Sequence, residues 1–230
     1  YWFMKIVSLV PSVTETLLAW NIEPTACTRF CEQPSLRHVG GTKDPDIASI
    51  IALRPDLVVV DREENRKEDA EALVAQGITV CDLHVVSVHD VPQEMQRLSD
   101  LVGGPTLELS ERVEQEQRSI AFVPIWRRPW MTISEKTYGA TLLRRLGIQV
   151  FQPDSPDAYP TLSDDDLAGL AAQMVLLPTE PYVFSERHIA EVQERTGISD
   201  VRIIDGKDLF WWGARTNDAL ARLGKDLARL

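Results

Sequence analysis

Short, predominantly apolar runs alternate along the first part of the chain with longer segments that have one apolar face. The apolar runs are typical of strands covered on both faces of a parallel sheet. They are residues 4–10, 57–60 and 78–83. Segments with apolar residues three or four positions apart predict amphipathic helices. They are residues 13–20, 47–53 and 66–76. The pattern predicts an α/β lobe.

Polar residues at the starts of these segments predict where the helices begin. Ser12 and Glu15 have the Ser-x-x-Glu spacing of a capping box. Asp44 before Pro45 suggests a capping side chain followed by a proline in the first helical turn.

The second half of the chain repeats this alternation. Predicted strands cover residues 130–133, 174–178 and 201–204. Predicted helices cover a segment after Ser134, a segment opened by Ser163 and Asp166, and residues 185–196 and 217–230. The two halves are therefore predicted to be structural duplicates.

The segment between the halves, residues 88–119, is rich in good helix formers and is broken at Gly103 and Gly104. Its second part, residues 106–119, predicts a connecting helix roughly 21 Å long. The expected organisation is an α/β fold of two Rossmann-like lobes, residues 1–87 and 120–230, joined by one backbone helix. Open α/β sheets bind ligands at the carboxyl ends of their strands, which predicts a ligand cleft between the lobes.

Charge and cysteine content restrict the partners and the compartment. The net charge of −11 and the pI near 4.9 argue against nucleic acid and anionic membrane surfaces as partners. Three cysteines cannot all pair, which favours a reducing compartment. The first residues lack the pattern of a secretory signal, so the expected location is cytoplasmic, or extracytoplasmic if a signal has been removed. A monomer is expected.

Aromatic residues are concentrated in segments predicted to follow strands. They are Trp126, Trp130, Tyr159, Phe210, Trp211 and Trp212. Three consecutive rings cannot all be buried on one face, so at least one of Phe210, Trp211 and Trp212 should be accessible. Such rings suit a flat, polarizable ligand. Arg127 and Arg128 are the candidate partners for an acidic group, with Arg127 as an anion clamp.

Several motifs in order resemble the helical-backbone metal receptors, the class III periplasmic solute-binding proteins for cobalamin, haem and ferric siderophores. The motifs are KIVSLVPSVTETL at residues 5–17, VGGTKDPD at 39–46, ALRPDLV at 52–58 and the Glu64-Asn65 turn. PIWRRPWM at residues 124–131 and TEPY at 179–182 resemble a subgroup whose members often lack signal peptides. The resemblance implies a solute-binding protein, not an enzyme, that serves an ABC importer.

The resemblance also assigns residues. It places ligand-contacting aromatics at Phe30, Tyr159, Trp211 and Trp212, and a permease-docking acid at Asp165. Cobalamin-specific members have further aromatics where this chain has Thr42 and Asp61, and the first docking acid falls on Ala48. The implied ligand is therefore a cobalamin, haem or another ferric chelate, with no cofactor required.

The alternative function is a cytosolic protein or enzyme that handles a tetrapyrrole-type cofactor, with Cys31 as a metal-reactive thiol beside Phe30. The four histidines do not form a His-Glu-x-x-His or His-x-His pair, and a complete phosphate loop and a Gly-x-Ser-x-Gly elbow are both missing. The sequence therefore predicts neither a metal site nor a catalytic site.

Overall fold

The computed structural model describes residues 4–110 and 116–228, which form two compact units. Unit 1 comprises the described residues of Tyr1–Val85, His89–Leu109 and Trp212–Arg215. Unit 2 comprises those of Val86–Val88, Ser110–Trp211 and Thr216–Leu230. The predicted fold class of two α/β parts with parallel sheets is confirmed. The boundaries at residues 87 and 119 stay a prediction.

Unit 1 is built on a five-stranded parallel sheet of order β3-β2-β1-β4-β5. Its strands are β1 (Ile6–Ser8), β2 (Ala26–Cys27), β3 (Arg37–His38), β4 (Leu57–Asp61) and β5 (Val80–Leu83). Its helices are α1 (Pro11–Ala19), α2 (Ile47–Leu53), α3 (Lys67–Ala75) and α4 (Val91–Val102). Every residue of β4 is buried, as its continuous apolar run predicts. Ile50 of α2 and Leu73 of α3 join the strand valines in one core cluster.

Unit 2 combines a four-stranded parallel sheet with a three-stranded antiparallel sheet. The parallel strands are β6 (Ser119–Phe122), β9 (Ile148–Val150), β11 (Met174–Pro178) and β12 (Val201–Ile204). The antiparallel strands are β7 (Pro124–Arg127), β8 (Trp130–Thr132) and β10 (Thr161–Leu162). The helices are α5 (Tyr138–Arg144), α6 (Asp164–Ala168), α7 (Ile189–Thr196), α8 (Gly206–Phe210) and α9 (Thr216–Leu227).

The two parallel sheets share a strand order. In unit 2 the order is β12-β11-β6-β9, so the first parallel strand lies between the second and the third. Unit 1 has the same arrangement once its additional edge strand β3 is set aside. This agreement supports the predicted duplication.

The predicted helix at residues 106–119 is wrong in the part of the segment that the structure describes. Residues 106–110 and 116–118 are not helical, and Ser119 begins β6. The remaining residues, 111–115, lie outside the described ranges. β6 pairs with both β9 and β11, so pairing at the middle of a sheet outweighs helix propensity, which is a weak preference. The first parallel strand of unit 2 is consequently β6, and β8, predicted for that role, belongs to a hairpin with β7.

Two of the predicted helix starts are corrected and one is confirmed. Pro11 takes the first position of α1, so Ser12 lies inside the helix and cannot cap it. The cap of α2 is Asp46, whose carboxylate accepts the Ser49 N–H at 3.0 Å, and not Asp44. Ser163 does cap α6, in a capping box with Asp166.

Candidate functional site

Phe30 lies beyond the carboxyl end of β2, in a 3₁₀ turn at Arg29–Cys31. The hydroxyl of Thr28 caps this turn by accepting the Phe30 N–H at 3.3 Å. The Arg29 guanidinium lies 4.8 Å from the centroid of the Phe30 ring and pairs with Asp44 at 3.0 Å. A Cβ on Gly41 would overlap the Asp44 carboxylate and collide with Arg29, so glycine lets this pair form in its present position. Phe30 is 50% exposed, and unit 1 thus presents an aromatic ring at this edge of its sheet.

A polar network surrounds the carboxyl end of β4. The Asn65 side-chain oxygen accepts the Asp61 N–H at 2.8 Å, and its amide donates to the carbonyls of Leu9 at 3.1 Å and Thr42 at 3.0 Å. The Asp61 carboxylate accepts the Glu63 N–H at 2.9 Å. Burial raises the pKa of Asp61 to about 6. Asn65 therefore holds three loops together, and Asp61 belongs to the same hydrogen-bond network at the carboxyl end of β4.

Cys31 is the last residue of the 3₁₀ turn that contains Phe30, and it is almost fully buried. The Thr14 hydroxyl donates to its sulfur at 3.2 Å, and the Thr28 hydroxyl lies at the same distance. Burial, with a smaller contribution from the Cys31 thiol, raises the pKa of Cys27 to about 12. Reactive cysteines are exposed and easily ionised. The buried position does not favour a metal-reactive role for Cys31.

The β7–β8 hairpin places Trp126 and Arg127 on a strand, where the sequence predicted a loop. Trp126 is 45% exposed and meets Tyr182 edge to face, with ring centroids 5.5 Å apart. A hydrogen bond to Tyr182 and an ion pair with Glu191 raise the pKa of Arg127. An anion clamp at Arg127 stays a prediction, and a ligand would compete there with Glu191.

Trp130, on the second strand of the hairpin, is buried in the core of unit 2. Its ring stacks on Phe184 with centroids 6.2 Å apart. The Phe184 ring also contacts Tyr182 at 4.7 Å and His188 at 5.5 Å. Burial, followed by the charges of Arg187 and Arg127, lowers the pKa of His188. Trp130 therefore packs the β7–β8 hairpin against the core of unit 2.

Trp211 follows α8 and is half-buried. Its indole N–H donates to the Glu180 carboxylate at 3.0 Å, and the Lys207 ammonium lies 5.0 Å from its ring centroid. A Cβ on Gly206 would overlap the backbone of Glu180, so glycine permits this close approach. The adjacent Trp212 is 3% exposed and belongs to unit 1.

Tyr159 lies between β9 and β10 and is 41% exposed. The stretch that contains it leaves the carboxyl end of β9, a strand of the parallel sheet. Trp211 follows β12 with α8 between them, and its hydrogen bond to Glu180 holds it near the carboxyl end of β11. Trp211 therefore lies at the sheet edge where α/β folds bind ligands, whereas Tyr159 is two residues before β10 of the antiparallel sheet.

The six aromatic residues among the predicted ligand contacts thus fall into two groups in this structure. Four have aromatic rings at least partly accessible to solvent: Phe30, Trp126, Tyr159 and Trp211. Trp130 and Trp212 are buried, and each leaves less than a tenth of its surface accessible to solvent. The prediction that at least one ring among residues 210–212 is accessible is confirmed, since Phe210 and Trp211 are both half-buried.

Asp165, the predicted docking acid, lies in the first turn of α6 and is exposed. Ala48, at the corresponding position of unit 1, is exposed on α2. Within residues 4–110 and 116–228, no group of three or more His, Cys, Asp and Glu side chains could hold a metal ion. No helix in the same ranges has both the length and the apolar character needed to cross a membrane.

Two residues important to this geometry, Glu180 and Asn65, belong to the sequence motifs but were not predicted to have a role. Glu180 holds the Trp211 indole, and Asn65 joins three loops of unit 1. Each follows the end of a buried parallel strand, β11 and β4 respectively. Polar residues directly after such strands are the signal that could have identified them.

Solved structures share the fold of this chain. The periplasmic vitamin B12 binding protein of Vibrio cholerae superimposes with a TM-score of 0.77 at 19% identity, covering 98% of this chain and 96% of that one. A periplasmic haem binding protein from Pseudomonas aeruginosa gives 0.79 at 18% identity, over 97% and 92% of the two chains. At these identities the likeness shows a shared fold, an α/β fold in two parts.

The sequence comparisons identify the family. The vitamin B12-binding protein of Pectobacterium carotovorum is 22% identical over 200 residues, 77% of this chain and 72% of that protein. The model of the periplasmic binding protein family matches residues 6–201. The chain belongs to the periplasmic binding protein family, and the resemblance inferred from the motifs is confirmed.

Proposed function

We propose that this protein binds a flat metal-chelate ligand, of the cobalamin, haem or ferric-chelate class, and delivers it to an ABC-type permease without catalysing a reaction. Membership of the periplasmic binding protein family supports a solute-binding role. Similarity to proteins named for binding vitamin B12 and haem supports the ligand class. The structural observation that carries the proposal is the placement of Trp211. Its indole is held by Glu180 and remains partly exposed beyond the carboxyl end of a parallel strand.

The proposed ligand contacts are the four accessible rings, Phe30 in unit 1 and Trp126, Tyr159 and Trp211 in unit 2. Large rings with few rotatable bonds give contact area at a low entropy cost. The hydrogen bond to Glu180 restricts Trp211 further, so less ordering is needed when a ligand binds. Phe30 is similarly restrained between its capped turn and Arg29.

The proposed ligand class extends beyond cobalamin because unit 1 has few aromatic residues at this edge. Thr42 and Asp61 occupy the positions where cobalamin-specific members have rings. Thr42 accepts from Asn65 through its carbonyl, and Asp61 is buried in the same network. Among the four proposed contacts, unit 1 therefore offers a ligand one aromatic ring, that of Phe30. This favours haem or a ferric chelate as strongly as a cobalamin.

A titration of the full chain with cyanocobalamin, haemin and a ferric hydroxamate siderophore tests this proposal. Binding near Trp126 and Trp211 should quench tryptophan fluorescence saturably for at least one of these ligands, while the metal-free chelates serve as controls. The absence of a saturable response to all three ligands would overturn the proposed ligand class.

The permease is proposed to contact unit 2 through Asp165. This side chain is exposed, whereas the adjacent Asp164 pairs with Arg195 at 2.6 Å and Asp166 is engaged in the capping box of α6. Asp165 is thus the carboxylate of this turn best placed to pair with a basic residue of a partner. A role in import would place the protein outside the cytoplasm, and we propose that location on the strength of the family. The monomeric state stays a prediction.

A further inference from the structure

Unit 2 contains an open concavity of about 410 Å³ at the turn of the β7–β8 hairpin. Arg127, Arg128 and Pro129 line it from the hairpin side, and Glu191 and Arg195 of α7 line it from the helix side. Tyr159 and Trp211 are not among the residues that line it. Phe30 and Trp126 do not line it either, so the concavity shares no ring with the aromatic surface proposed above, although the predicted anion clamp Arg127 lies on its rim.

The floor of the concavity is apolar and rigid. Trp130 and Leu162 form it, and both are more than nine-tenths buried in the core of unit 2. These two residues are also paired directly in the antiparallel sheet. Stacking of Trp130 on Phe184 fixes the orientation of the indole. A ligand with an apolar body could therefore contact this floor without rearranging the protein.

The rim of the concavity carries an excess of positive charge. Arg127 pairs with Glu191, and Arg195 pairs with Asp164 at 2.6 Å and with Glu191 at 3.5 Å. Three guanidinium groups thus face two carboxylates, in a chain whose net charge is −11.

The excess charge is located on Arg128. This side chain is exposed and makes no hydrogen bond or ion pair with any residue in the described ranges. Guanidinium groups bind carboxylates in a bidentate geometry, and an adjacent apolar floor strengthens such pairing by reducing the exposure of the pair to water.

We propose that this concavity is a second ligand site, which takes a small organic carboxylate with an apolar body. The carboxylate pairs with Arg128, and the apolar body lies on Trp130 and Leu162. The volume is at the lower end of the range for ligand pockets, which restricts the ligand to about the size of a single substituted ring.

Calorimetric titration of the full chain with benzoate at low ionic strength tests this site. Benzoate should bind with a dissociation constant on the order of 1 mM, as expected for so small a ligand. Benzamide, which has the same shape without the charge, should bind about five- to tenfold more weakly. Arg128→Gln should weaken benzoate binding by a similar factor, because it removes one charge-assisted hydrogen-bonding partner. The variant side chain is exposed, so folding should be preserved.

Arg187→Gln is the matched control, because Arg187 is an exposed arginine of the same unit that does not line the concavity. It should leave benzoate affinity unchanged. Equal affinity of wild type and Arg128→Gln for benzoate, or no binding of benzoate at about 20 mM, would overturn the proposal. Trp211→Ala should retain benzoate binding even where it loses the metal chelate, so the two proposals fail separately.

Discussion

The two units share a strand order but hold the loops at the carboxyl ends of their strands by different chemistry. In unit 1 a buried amide and a buried carboxylate, Asn65 and Asp61, join the loops through hydrogen bonds to the backbone. In unit 2 a cluster of rings that includes Trp130, Tyr182 and Phe184 packs beneath the hairpin. The shared strand order thus determines where loops leave each sheet, while the loops of each unit are stabilised by different contacts. Apolar packing and polar bonding should therefore respond differently to mutation and to pH.

The largest effect is expected from removing the centre of the aromatic cluster. Phe184→Ala should lower the free energy of unfolding by about 4 kcal/mol, because it leaves a cavity beneath Trp130, Tyr182 and His188. Chemical denaturation followed by tryptophan fluorescence measures this loss.

Val183→Ala provides the matched control. Val183 is adjacent in sequence but 68% exposed, so its truncation should change the free energy of unfolding by less than about 0.5 kcal/mol. If the two variants were equally stable, the aromatic cluster would not be what stabilises these loops of unit 2.

The hydrogen-bond network of Asp61 and Asn65 in unit 1 should instead make the free energy of unfolding depend on pH. The pKa of Asp61 is about 6 in the folded protein and roughly 3.9 in the unfolded chain, so the folded state binds more protons between these values. The contribution of Asp61 to the free energy of unfolding therefore falls as pH rises through this window, by up to about 3 kcal/mol. The stability of wild type relative to Asp61→Asn should accordingly decrease between pH 4 and pH 7.

Denaturation curves of both proteins at several pH values measure this change, with Glu71→Gln as the control. Glu71 is an exposed carboxylate of the same unit, paired with Lys67 at 3.3 Å, and its replacement should give a nearly constant difference. A difference between wild type and Asp61→Asn that does not vary from pH 4 to pH 7 would show that Asp61 is ionised without cost, contrary to its burial.

Many of the strands and helices were predictable from the sequence, because the periodicity of apolar residues can be recognised within a single segment. The run at residues 57–60 and the pair Ser163 and Asp166 each specify a local structure that the fold retains. Residues 106–119 were mispredicted because helix propensity says nothing about the strand partners of Ser119–Phe122. The start of α2 was mispredicted because the pairing of Asp44 with Arg29 depends on a loop remote in sequence.

The candidate site was predictable by residue type and less so by exposure. Trp126 and Trp130 are four positions apart, yet the first is 45% exposed and the second is buried. Their difference depends on the hairpin pairing, in which Arg127 lies opposite Trp130, and on the packing of Phe184 from a distant segment. Strand pairing and packing against a distant segment leave no periodic pattern in the sequence. A concentration of aromatic residues therefore indicates a surface but does not show which of the rings are accessible.

The smallest effect expected is also the one that bears most directly on function, since it compares the two units as ligand surfaces. For whichever metal chelate binds in the titration, Trp211→Ala should weaken binding about tenfold and Phe30→Ala about fivefold, reflecting the larger area of the indole and its hydrogen bond to Glu180. Glu180→Gln keeps a side-chain oxygen that can accept the indole N–H, and should therefore weaken binding less than Trp211→Ala. Trp211→Phe separates ring stacking from this hydrogen bond, because it retains a ring and loses the donor. If Phe30→Ala weakened binding more than Trp211→Ala, the aromatic surface of unit 2 would not be the main contact, and the contrast between the units would be confined to stability.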